Sequence, residues 1–236
     1  MADLASSKAF WESKARENAH WYISSYGPYS DRDESLFWAS GSAIWEEIKR
    51  ETGYRPAQTD TVVEVGCGVG RLTRALAAEV GRCHAFDISA EMLARARAAV
   101  PCNVALHLAG GRSLHPVQDN AVDLVLAYCV FQHLPGEDVL SANLAEMVRV
   151  AKPGALLAFT TSPRDWKALL LPLSRVKGAL LAPFTAGAPQ GTYKKEWVGI
   201  RPSRRRVQRL CPLPMQFRSL PNGRWLYWGR KPVTAA

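Results

Sequence analysis

Acidic side chains almost vanish after residue 162: only Asp165 and Glu196 stand there against 15 Lys and Arg, whereas residues 1–162 hold 19 Asp and Glu against 15 Lys and Arg. The net charge of +9 at pH 7 therefore resides in the C-terminal part. Such asymmetry points to an anionic partner (substrate, nucleic acid or membrane surface) or to a solvated face. Long apolar runs are missing as well. No stretch of about 18 apolar residues occurs, and the opening MADLASSKAFWESKARENAH mixes charges with aromatics where a signal peptide needs an apolar centre. A soluble, cytoplasmic chain without a transmembrane segment is expected. The five cysteines show neither CxxC pairing nor a histidine spacing suited to zinc, so they read as reduced thiols and no metal site is expected. No Gly/Ser-rich or Pro-rich linker and no internal repeat divides the 236 residues, which suits one elaborated domain over residues 1–236.

Against these absences stands a regular alternation. Val62 to Val65 is a β-branched, nearly all-apolar run of the kind found in parallel strands covered on both faces. It collapses into glycines at 66, 68 and 70 and then turns helical from Arg71 to Val80, closed by Gly81. A second strand, Arg82 to Asp87, leads to an N-cap serine, Ser89, and a helix to about Val100. Further strands fit Val104–Leu108, Val122–Ala127 and Ala155–Thr161, with a helix from about Gly136 to Val150 before the last of them. Near the end, a helix starts at about Pro202, and Met215–Leu220 and Arg224–Gly229 flank Pro-Asn-Gly as a hairpin would. The expected architecture is α/β: a Rossmann-like, open, seven-stranded, mostly parallel sheet with helices on both faces and a C-terminal antiparallel hairpin. Residues 1–55 read as a helical, aromatic-rich cap, 56–162 as the cofactor-binding core, 163–200 as a lid-like insertion and 201–236 as the last helix and edge hairpin.

Ligands of open α/β sheets sit beyond the carboxyl ends of the strands, so the glycine turn and the end of the second strand should share one ligand. Asp87 stands where a carboxylate accepts both hydroxyls of a ribose. A dinucleotide requires G-x-G-x-x-G so that pyrophosphate lies on the helix N-terminus, but three positions after Gly68 stands Arg71. The turn E-x-G-x-G-x-G instead resembles motif I of the class I S-adenosylmethionine-dependent methyltransferases. DISAEML, GGRSL, DLVLAYCVFQHL and MVRVAKPGALLAFTT follow in that family's order, so the resemblance covers about residues 60–162.

That resemblance implies S-adenosylmethionine as cofactor. Glu64 and the backbone at Gly66, Gly68 and Gly70 would shape the methionine and ribose pocket, Asp87 would hold the ribose, and Ile88 would lie against adenine. Gly111 and Arg112, by backbone, would line the adenine edge, and Tyr128 and Cys129 would pass beside the sulfonium. Where many relatives carry Asp or Asn for the adenine amine, this chain has Gly110. His133, just past the fourth strand, is the candidate general base for a hydroxyl acceptor. Tyr22, Tyr26 and Trp166 are candidates for the substrate side. The expected activity is methyl transfer to O or N of a small-molecule metabolite or natural product, anionic or partly apolar. Two alternatives stand beside it. Arg201, Arg204, Arg205, Arg206 and Arg209 would suit RNA, although no appended RNA-binding module and no NPPY-type motif accompany them. WKALLLPLSRVKGALLAPF has the leucines and cations of an interfacial segment on a non-catalytic protein that keeps the fold.

Overall fold

The computed structural model describes residues 3–24, 33–162, 191–192 and 194–233. Its centre is one seven-stranded sheet in the order β3-β2-β1-β4-β5-β7-β6. The strands are β1 (Thr61–Val65), β2 (Arg82–Asp87), β3 (Val104–Leu108), β4 (Val122–Ala127), β5 (Ala151–Thr161), β6 (Gln216–Ser219) and β7 (Trp225–Arg230). The first five run parallel, and β7 and β6 add the antiparallel edge hairpin. The order reverses at β1, whose neighbours are β2 and β4, and this opens a crevice at the carboxyl ends of those three strands.

Period-two alternation assigns the two faces. Val63 and Val65 join Phe86, Val125, Ala127 and Phe159 against α5 (Glu137–Val150). Val62, Ala85, Leu124 and Leu126 pack on the other side, against α2 (Glu34–Thr52), α3 (Arg71–Ala77) and α4 (Ala90–Ala96). Both faces are thus covered by helices, which explains why β1 and β4 read as near-continuous apolar runs.

Several boundaries differ from expectation. The helices after the glycine turn and after Ser89 end at Ala77 and Ala96, short of Val80 and Val100, in turns whose amides still find carbonyls such as Ala96 O. β5 begins four residues early, because Val122 pairs with Ala151 before the register jumps to Leu124 opposite Leu156. The surplus residues, with Gly154 at φ 83°, form a bulge that keeps β5 in the ladder on both sides.

The N-terminal part is helical as expected. α1 (Leu4–Ser24) is kinked at Asn18, whose φ of −166° and ψ of 77° leave the helical region. Its residues Ala15 and Ala19 bury against Phe37 of α2, Met92 of α4 and Val69 of the glycine turn, so α1 lies over the mouth of the crevice. Among the described residues after β5 stand two short helices, α6 (Lys195–Val198) and α7 (Arg204–Leu210), the latter N-capped by the Ser203 hydroxyl. No helix among the described residues is long and apolar enough to cross a membrane.

Candidate active site

A cavity of about 340 Å³ occupies the crevice, within the range of small-molecule pockets. Its floor is the glycine turn. The amides of Gly66 and Cys67 both reach the Phe86 carbonyl, at 2.7 and 2.9 Å, which locks the end of β1 onto β2. Gly66 has φ 73° and Gly68 φ 56°, in the left-handed region. A side chain at Gly68 would also strike Ile23 of α1, whose Cδ1 lies 2.7 Å from the position of an added Cβ. Only glycine lets the turn and the cap approach this closely.

Two carboxylates flank this floor. Asp87 Oδ2 accepts from the Gly68 amide at 2.8 Å and Oδ1 from the Ser89 amide at 2.9 Å. Burial pushes its carboxyl up to about 6, although those amides favour the anion. Each oxygen keeps a lone pair for a further donor. Glu64, buried on β1, accepts from the Thr73 hydroxyl at 2.6 Å, and burial pushes it up to about 7. Beside it Arg71, the first residue of α3, donates from Nη1 to Ser40 Oγ, while its Nε is buried without a partner among the described residues. Ser7 Oγ, on α1, is likewise buried and unpartnered where it lines the cavity.

At the other end of the cavity the wall is aromatic. Trp11 of α1 meets the His133 ring edge-on at 5.0 Å, and Trp197 of α6 lies 5.2 Å from the same ring. His133 Nδ1 donates to the Trp197 carbonyl at 2.5 Å, and its Nε2 faces the Gln132 amide nitrogen at 3.1 Å. The Gln132 carbonyl oxygen in turn accepts from Ser162 at the end of β5, at 2.9 Å. Gly199, at φ 52°, permits this docking, since a Cβ there would lie 2.1 Å from the Gln132 carbonyl. Burial drives His133 down to about 4, helped by the nearby Arg224 and Arg201 charges. Its imidazole is therefore neutral and a weaker base than an ordinary histidine.

Of the residues singled out in the sequence, Glu64, Gly66, Gly68, Asp87, Ile88, Gly111, Tyr128, Cys129, His133 and Tyr22 line this one cavity. Gly70 lies beneath it, packed toward Val100 at the start of α3, and Arg112 turns its side chain outward to pair with Asp138. Tyr26 and Trp166 fall outside the described residues. Tyr22 is buried with its hydroxyl on Glu17, and Tyr128 takes a hydrogen bond from Asn222 under the Arg224 guanidinium. The basic cluster divides: Arg201 lines the cavity, while Arg204 stacks on Phe217 at 4.4 Å and Arg206 pairs with Glu137 at 2.6 Å.

Sequence reasoning did not place Ser7, Trp11, Arg71, Asn143, Trp197 or Arg224 at the cavity, and it read Arg201 only as part of a basic cluster suited to RNA. Asn143 of α5 fixes the loop after β3 by donating to the Gly111 carbonyl at 2.8 Å. Arg71 had a local signal, as the first residue after the glycines, but the others arrive from remote parts of the chain.

An open α/β sheet with a glycine turn after β1 and a carboxylate at the end of β2 defines a nucleoside-binding protein of the Rossmann-like class. Residues 63–159 match the methyltransferase domain family, which supports the resemblance of this core to the class I S-adenosylmethionine-dependent methyltransferases. It is 32% identical over 121 residues to the malonyl-[acyl-carrier protein] O-methyltransferase of Pectobacterium atrosepticum, spanning 49% of this chain and 46% of that one. It is 25% identical over 143 residues to the ubiquinone biosynthesis O-methyltransferase of Hydrogenovibrio crunogenus, spanning 59% and 56%. The chain spans about half the length of these curated relatives. Among solved structures, DhpI bound to SAH superposes with a TM-score of 0.64 at 19% identity over 97% of both chains, which shows the shared fold.

Proposed function

We propose that the chain binds S-adenosylmethionine in this cavity and transfers its methyl group to an oxygen or nitrogen of a small molecule. The observation behind this reading is Asp87. Its carboxylate stands at the end of β2, fixed by two backbone amides, with one lone pair per oxygen turned to the task of holding a ribose diol. The orphaned donors fit the rest of the ligand. Arg71 Nε, beside Glu64, suits the methionine carboxylate, and Ser7 Oγ, three residues along α1 from the Leu4 that packs on Gly111, suits a polar edge of adenine. Ile88 and the Gly111 backbone supply the flat adenine slot, in keeping with the lack of an amide or acid at Gly110. When bound, the cofactor supplies an electrophilic methyl on a sulfonium, and the leaving sulfur already bears the positive charge.

The chain's own contribution is placement. Tyr128 and Cys129 border the path between the two halves of the cavity, and Trp11, Tyr22 and Trp197 exclude water from the acceptor side. Holding nucleophile, carbon and sulfur in line supplies much of the acceleration of such a displacement. RNA is the weaker reading, because the arginine cluster is split between the cavity, Phe217 and Glu137. Incubation with methyl-labelled S-adenosylmethionine and a metabolite pool tests the proposal: a labelled small molecule is the expected product. Absence of cofactor binding in calorimetry, or NAD binding equally well, would overturn it.

A further inference from the structure

The Trp11–Trp197 end of the cavity contains a cation, Arg201, that pairs with no carboxylate among the described residues. Arg201 lines the cavity two residues after Gly199 seats α6 on the Gln132–His133 turn. Its Nε is buried and has no hydrogen-bond partner among the described residues, and no salt bridge there involves it. The carboxylates that line the cavity, Glu64 and Asp87, both belong to the cofactor half, and Arg71 is the arginine beside Glu64. Arg201 is half-buried, with its Nε out of water and unpartnered among the described residues, and a bound anion would supply the acceptor that this donor lacks.

Building on the methyltransferase reading above, we propose that the acceptor is an oxyacid, a carboxylate or phosphonate, whose ionised group is held by Arg201 and whose oxygen takes the methyl directly. The planar fork of the guanidinium matches either oxyanion, and the Trp11 and Trp197 rings offer an apolar wall for the rest of the molecule. In the transfer a lone pair of the acceptor oxygen forms the new O–CH3 bond, and the electron pair of the broken C–S bond stays on sulfur. The acceptor loses its negative charge as the sulfonium loses its positive one, and no proton moves. No general base is required. His133 fits that requirement: Nδ1 is committed to the Trp197 carbonyl and Nε2 to Gln132, so the ring positions the acceptor wall through its neighbours.

The test uses the full chain saturated with S-adenosylhomocysteine, titrated calorimetrically with matched pairs: acetate and acetamide, butyrate and butyramide, benzoate and benzamide, and methylphosphonate beside acetate. At least one acid is expected to bind about tenfold or more tighter than its amide, the scale of a hydrogen bond to a charged group. Arg201→Gln should reduce that preference to about threefold or less with unchanged affinity for S-adenosylhomocysteine, and Arg201→Lys should restore part of it. The phosphonate arm distinguishes the two acid types. Amides that bind as well as acids throughout, acids that fail to bind at all, or a preference that survives Arg201→Gln would each overturn the proposal. Failure of the wild-type chain to bind S-adenosylhomocysteine would instead sink the methyltransferase reading.

Discussion

Glu12 of α1 accepts a 2.7 Å hydrogen bond from the hydroxyl of Ser89, the N-cap of α4, across 77 residues of sequence. The same hydroxyl accepts from the Met92 amide, and the Ser89 amide donates to Asp87, so the cap helix and the Asp87 carboxylate at the cavity share one chain of hydrogen bonds. This bond holds the Glu12 carboxyl below its ordinary range. Glu12→Ala should therefore loosen α1 and weaken S-adenosylhomocysteine by about 1–3 kcal/mol, the cost of losing a partner to a charged acceptor. Hydrogen exchange should speed up in α1 and stay slow in β1 and β4; uniform protection with unchanged affinity would show that the contact is incidental.

Asp87→Ala is expected to weaken the cofactor by about 1.5–3 kcal/mol or more, since it removes an acceptor for the ribose and leaves the Gly68 amide unpaired. Calorimetric titration reads it directly. Wild-type affinity in the variant would remove Asp87 from the site.

Glu64 sets a pH dependence of stability in the cofactor-free chain. Its carboxyl lies near 4.5 when unfolded and is pushed to about 7 in the fold by burial. The folded state holds the proton more tightly, so the stabilisation is complete below about pH 4.5 and is lost as pH rises through 7. Glu64→Gln should raise the thermal midpoint at pH 8, by up to roughly 3 kcal/mol in free-energy terms, with the advantage shrinking toward pH 4.5. A midpoint difference that is flat with pH would contradict this sign.

His133→Asn separates two roles. Loss of a general base typically costs 10²–10⁴-fold in turnover, whereas an already ionised acceptor needs none. About tenfold or less is expected in kcat at pH 7, with a larger rise in KM as the Trp197 wall shifts. A loss of about a thousandfold in kcat alone would assign proton abstraction to His133.

The strand and helix order was legible in the sequence because the runs are bounded by sharp chemistry: β-branched residues before Gly66, Asp87 before Ser89, and Pro-Asn-Gly in the hairpin. Less visible were the ends. Lys152-Pro153-Gly154 reads as a break, yet the ladder resumes around it as a bulge, since β5 is held on one side by β4 and on the other by β7. The glycine-turn side of the cavity was legible for the same reason as the fold, its residues being strand ends and turns. Arg201, Trp197 and Ser7 had no such signature; tertiary packing brings them to the cavity from segments with no fixed spacing relative to β1.

The pair Gln132–His133 ties together two parts of the chain that are distant in sequence. Ser162, the last described residue before position 163, bonds to Gln132, and Trp197, soon after position 190, bonds to His133. The two ends of the intervening stretch are thus anchored on adjacent residues of the same rigid turn. Positions 162 and 197, 35 residues apart in sequence, are held by one turn, so a change at Gln132 or His133 should be felt both at the end of β5 and at α6.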